Sequence, residues 1–198
     1  MGAAYGLSTL NTPQIFTLSY VYDLPFFRNE HNVQGYVLGG WEISGITNIQ
    51  SGQSLTVTQG SDPFANGANN NSGLNMAREG LIQIRTNQTG TPGGPKTPAE
   101  YFNTAAFTQA SGAFGNESPG AVMGPGFQLW DISLIKNFNF SERAHLQLRF
   151  ESFNTFNHGS PSAVDTTFQA PGTPNNPFGT VTGYHDPRNL QLGAKIQF

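Results

Sequence analysis

Along five stretches of this chain, hydrophobic and polar residues alternate with a period of two, the spacing of a strand with one apolar face. From Gln14 to Asp23, Phe16, Leu18, Tyr20 and Tyr22 share one parity, and Ile15, Thr17, Ser19 and Val21 share the other. From Tyr36 to Gln50, Trp41, Ile43, Gly45, Thr47 and Ile49 oppose Glu42, Ser44, Ile46, Asn48 and Gln50. From Phe127 to Phe140, Trp130, Ile132, Leu134, Phe138 and Phe140 alternate with Asp131, Ser133, Ile135, Asn137 and Asn139. From Arg143 to Phe153, Leu146, Leu148 and Phe150 oppose His145, Gln147, Arg149 and Glu151. The last stretch, Asn189 to Phe198, sets Leu190, Leu192, Ala194, Ile196 and Phe198 against Asn189, Gln191, Gly193, Lys195 and Gln197. The pattern predicts an all-β chain, an antiparallel up-and-down meander of about five long strands at residues 13–23, 36–50, 127–140, 143–154 and 189–198. Ser54 to Thr58 is expected to prolong the second strand past a kink at Gly52, and residues 98–107 to hold one short helical turn at most.

The connections are unequal. Those after the first and third strands are short, whereas residues 51–126 and 157–188 form long loops. In a meander, alternate connections lie at the same end, so both long loops fall at one rim and both short ones at the other. Outer-membrane barrels have this asymmetry, with short periplasmic turns and long external loops. Strands of ten residues or more exceed the globular mode of about five to six, and about nine to eleven suffice to cross a bilayer obliquely. Tyr20, Tyr22, Phe26, Phe27, Phe138, Phe140 and Phe198 would gather at the short-turn rim, as an interfacial aromatic girdle does. Alternation alone does not say which face meets water.

Composition agrees with extended structure and polar loops. Only 11% of residues are charged, against roughly 25% in soluble proteins, while Gly (24), Pro (13) and Phe (16) are abundant. A net charge of −3 without Lys/Arg clusters gives no sign of a nucleic-acid surface. There is no cysteine, hence no disulfide and no thiolate site. No apolar run of about 18 residues could form a membrane helix, and the first residues lack the basic and apolar segments of a signal peptide. Neither absence bears on strands.

No chemical constellation emerges. His31, His145, His158 and His185 lack metal-ligand spacing, and the Asn-rich segment Ala65 to Asn75 lacks the spacing of a calcium loop. Nucleophile elbows, phosphate loops and dinucleotide fingerprints are absent. The expectation is a protein without enzymatic activity, cofactor or metal. Arg149 and Glu151 on the fourth strand and Lys195 on the fifth share the polar parity, and in a closed barrel would be lumen-facing charges.

Three segments carry a family resemblance: Gly39 to Val57 (GGWEISGITNIQSGQSLTV), Leu146 to His158 (LQLRFESFNTFNH) and Asn189 to Phe198. Together they resemble the carboxyl-terminal barrel region of TonB-dependent outer-membrane receptors, nearest the Oar-like subgroup with a carboxypeptidase-regulatory-like domain. The likeness runs from about residue 13 to residue 198. It implies a barrel of about twenty-two strands around a plug domain, located in the outer membrane of a Gram-negative bacterium. It also implies substrate binding and uptake at the cell surface, driven by the TonB system through the plug. Phe198, preceded by Ile196, Leu192 and Leu190, resembles the signal read by the barrel-assembly machinery. The expected partners are therefore outer-membrane lipid, that machinery, TonB and an unidentified substrate. This chain shows about five strands and neither plug nor TonB box, so it is expected to be part of a larger receptor. The alternative is a secreted β-sandwich that binds carbohydrate, with Leu146, Leu148, Phe150, Leu190 and Leu192 in a dry interior.

Overall fold

The computed structural model describes residues 5–27, 32–60, 84–141 and 144–198, and the chain divides into two compact units. One unit comprises residues 15–50, 127–159 and 186–198 and is built on the alternating stretches. In chain order its elements are β1 (Ile15–Asp23), helix α1 (Val33–Leu38) and β2 (Trp41–Gln50). The other unit, residues 1–14, 51–126 and 160–185, then supplies β3 (Ser54–Leu55), β4 (Thr58–Gln59), β5 (Asn87–Gln88), β6 (Phe107–Thr108) and β7 (Val122–Met123). The chain continues through β8 (Phe127–Asn139) and β9 (His145–Phe153) of the first unit, and β10 (Pro161–Val164), β11 (Thr167–Phe168) and β12 (Val181–Tyr184) of the second. It ends with β13 (Asn189–Gln197) of the first.

The first unit is a five-stranded sheet in the order β1-β2-β8-β9-β13, antiparallel throughout, as the meander requires. Register places residues of one parity opposite one another, for example Ile43 opposite Leu134, Leu134 opposite Phe150, and Phe150 opposite Leu192. Most apolar residues of the five strands therefore share one face, while Glu42, Asp131, Arg149, Glu151 and Lys195 share the other with a few apolar residues such as Ile46, Leu129 and Ile135. The apolar face is not the lining of a sandwich. Leu192 is 80% exposed, and Leu148, Phe150 and Leu190 are also exposed. Gly45 is required here: a Cβ would lie 2.6 Å from both the Tyr20 hydroxyl and the Asp131 carbonyl oxygen, so the tyrosine ring folds across the bare backbone.

Three local expectations need correction. Residues 36–38 do not begin the second strand but end α1, and the strand starts at Trp41. The Asn32 side chain accepts a hydrogen bond from the Gly35 amide at 2.8 Å and starts the helix; Gly40, at φ +68°, lets the chain turn away from it. Ser54 to Thr58 does not prolong β2. The backbone at Gly52 runs against Gly124, and Ser54–Leu55 pairs with Val122–Met123 instead. The third correction concerns the long loops, which are not bare connections.

They fold into the second unit, with four two-stranded pairings: β3–β7, β5–β6 and β10–β12 antiparallel, β4–β11 parallel. Val57, Tyr101, Phe102, Ala106, Phe107, Val122 and Phe178 form its core. Phe178 contacts Phe102, Phe107 and Phe168 edge-to-face, at centroid distances of 5.3, 6.2 and 5.4 Å. The Asn-rich segment 65–75, His31 and residues 142–143 of the β8–β9 turn lie outside the described residues.

Phe102→Ala should remove about 3–5 kcal/mol from this unit. Limited proteolysis should then cut readily within residues 84–126, while the strands of the sheet unit stay protected. Unchanged protease resistance would contradict a core at Phe102.

Candidate functional site

Two regions bring functional groups together, one in each unit. In the loop unit, a cleft of about 620 Å³ lies between residues 104–109 and 168–178. Phe107, Phe168 and Phe178 supply aromatic surface, and Gln109, Gln169 and Asn176 supply amides; among the described residues no charged side chain lines it. Its walls are set locally. Thr97 closes a turn by exchanging hydrogen bonds with Glu100, and Tyr101 then donates its amide to the Gly179 carbonyl at 2.7 Å. Gly179 has φ +82°, and Thr104 occupies the space where a Cβ would stand. Asn176 accepts from the Phe178 amide at 3.0 Å, holding Phe178 in the wall.

Beneath the short pairs lies a buried carboxylate that periodicity could not reveal. Glu117 is fully buried; Oε1 accepts from the Val57 amide at 2.8 Å and Oε2 from the Thr86 hydroxyl at 3.0 Å. Arg85 donates to the Glu117 backbone carbonyl. Burial pushes the Glu117 carboxyl above its ordinary value near 4.5, opposed by the Val57 and Thr86 hydrogen bonds and by the Arg85 charge. Burial likewise lowers Lys96, whose ammonium lies 4.3 Å from the centre of the Tyr101 ring and donates to the Met123 carbonyl.

In the sheet unit, the segment Phe153 to His158 is explained by one buried side chain. Asn154 adopts φ +48°, and its amide donates to the Asp131 carboxylate at 2.8 Å. Its side chain accepts from the His158 amide and donates to the His158 and Asp186 carbonyls, at 2.9, 3.1 and 2.9 Å. Asn157 accepts from the Arg188 amide at 2.9 Å. The chain that leaves β9 is thus tied to the chain about to enter β13.

On the polar face, Arg149 and Glu151 form an ion pair of 2.9 Å, half exposed at the arginine. Lys195, on the same face, stands opposite Gln147 and joins no ion pair among the described residues. Leu190, Leu192 and Ile196 occupy the apolar face, and Phe198 follows β13, fully exposed. Lys136 departs from the pattern. Register sets it opposite Trp41 and Leu148, on the apolar face, where it is 4% exposed.

No helix among the described residues is long and apolar enough to cross a membrane. The family described as an outer membrane beta barrel domain matches residues 1–191. The chain belongs to that family. Its place is the outer membrane, and its surroundings include lipid. No curated protein and no solved structure matches it significantly. For this barrel domain, an exposed apolar sheet face and a separate loop core fit one setting.

Glu117 also yields a pH dependence. Because its folded value is raised, its contribution to stability is fully present below about 4.5 and is lost as pH rises through the raised value. The loop unit should therefore gain protease resistance as pH falls from neutral toward 4.5. Glu117→Gln, which can keep both hydrogen bonds, should flatten that difference. The same pH profile in the variant and the parent would contradict it.

Proposed function

We propose that this barrel domain forms the carboxyl-terminal part of a TonB-dependent, Oar-like receptor that binds and takes up a substrate at the cell surface. The observation that carries the reading is the loop unit. Residues that join strands at one end of the meander have their own aromatic core and a preformed cleft, whereas the other connections are short. In outer-membrane barrels the long loops face outward and the turns face the periplasm. The cleft would make first contact with the substrate. Phenylalanine faces and carboxamides without charge suit a neutral oligosaccharide or peptide better than an ion.

In this reading the apolar face meets lipid, and Arg149, Glu151 and Lys195 point into the lumen. Five strands fall short of the eight that close the smallest barrels, so further strands must pair with β1 and β13. A plug inside the completed barrel would connect it to TonB. Phe198, Ile196, Leu192 and Leu190 would present the assembly signal at the periplasmic rim.

An epitope inserted into residues 65–75 of the receptor should be labelled by antibody on intact cells. A fluorescent neutral oligosaccharide or peptide that binds those cells should accumulate only when TonB is present. Labelling that requires permeabilised cells would overturn the topology, and TonB-independent accumulation would overturn the transport reading.

A further inference from the structure

Lys136 is the single charged residue on the apolar face of the five strands, and it has no acidic partner among the described residues. Its Nζ donates to the Gly39 carbonyl and, at 3.3 Å, to the Asn137 carbonyl. The ammonium lies 4.4 Å from the centre of the Phe138 ring and 5.8 Å from that of Trp41. Two carbonyls take two of its three N–H donors. A buried cation is costly without an anion; Asp23 lines the same polar hollow but forms no ion pair with Lys136.

Two hollows meet at this residue. One is an apolar groove of about 600 Å³ that runs from Val37 and Trp41 across Leu134, Leu148 and Phe150 to Leu192. The other, of about 500 Å³, is polar, with Asp23, Tyr36, Gly39, Gly40 and Asn139 among its walls. Lys136, Trp41 and Phe138 line both. An apolar groove and a polar hollow joined at one lysine have the layout of an amphiphile with an anionic junction.

Depth agrees. Lys136 stands three residues before the end of β8. With a rise of about 3.3 Å per residue and a tilt of about 40°, that is roughly 8 Å inside the strand end. Interfacial helices bury their apolar faces about 5–10 Å deep, at the boundary of headgroups and acyl chains. α1 presents such residues beside the site: Val33, Tyr36, Val37 and Leu38 are all exposed, and the Trp41 indole donates to the Val37 carbonyl at 3.1 Å.

We propose that this region is a specific glycerophospholipid site, with the lipid phosphate against the Lys136 ammonium and an acyl chain along the groove to Leu192. It rests on the outward-facing reading of the apolar face, but not on TonB dependence. It makes Lys136 a lipid ligand and α1 the collar that holds a headgroup at the short-turn rim.

Native mass spectrometry of the protein extracted from outer membranes tests the site, with phosphatidylglycerol and the uncharged diacylglycerol of the same chains as probes. The wild type should retain one phosphatidylglycerol at least about tenfold better than diacylglycerol, the worth of one charge-assisted hydrogen bond. Lys136→Gln should lose that preference, and Lys136→Arg should keep it. Equal retention of both probes by the wild type overturns the site while leaving the outward face intact. Retention of neither probe overturns both. The wild-type comparison stands even if a variant fails to assemble, and a Lys136→Gln protein that retains the preference also overturns the assignment.

Discussion

Unpaired backbone governs this structure. Within hydrocarbon, each amide N–H and carbonyl must find a protein partner, because no water competes for it. The three inner strands satisfy this on both sides, whereas β1 and β13 each have one neighbour. Their outer rows of polar groups therefore require further strands, and an outer-membrane barrel supplies them by closure. The same requirement explains the long, uninterrupted registers of β1–β2, β2–β8 and β9–β13.

The two units meet the cost of ordering the chain in different ways. The sheet has almost no core: among its described residues Ile135 is the one buried hydrophobic residue, and much of its apolar face is exposed or half-buried. In the proposed orientation such a face would gain its apolar surroundings from lipid. The loop unit follows the rules of a soluble domain, burying Val57, Phe102 and Val122 completely and satisfying Glu117 and Gln59 with hydrogen bonds. Where the chain passes from β9 into the loop and back to β13, Asn154 replaces lost ladder bonds with side-chain ones. A rigid exit of this kind suits a connection that must hold position without a surrounding sheet.

Period two is sufficient to read the sheet, because each strand keeps one parity mostly apolar over its length. It failed at Tyr36 to Leu38, where Val33, Tyr36 and Val37 follow a helical spacing too short to stand out and where Asn32 and Gly40 set the boundaries. It was silent on the loops, whose order comes from contacts between residues far apart in sequence, such as Phe102 with Phe178 and Val57 with Glu117. Pro/Gly-rich sequence reads locally as coil, and only these distant partners make it a core. Lys136 did carry a signal, a lone charge on an apolar parity between Leu134 and Phe138. Its meaning came from Gly39, which lies 97 residues away. The Arg149–Glu151 pair was legible as shared parity, though not as a direct contact.

The orientation of the sheet faces is the central claim, and the chain's lack of cysteine makes it directly testable. Single cysteines at each position from 189 to 197, in the protein assembled in outer membranes, can be probed with a lipid-phase maleimide and a charged aqueous one. Strict alternation is expected, with positions 190, 192, 194 and 196 modified from lipid and positions 189, 191, 193, 195 and 197 from water. The opposite alternation, or uniform modification from water, would contradict it.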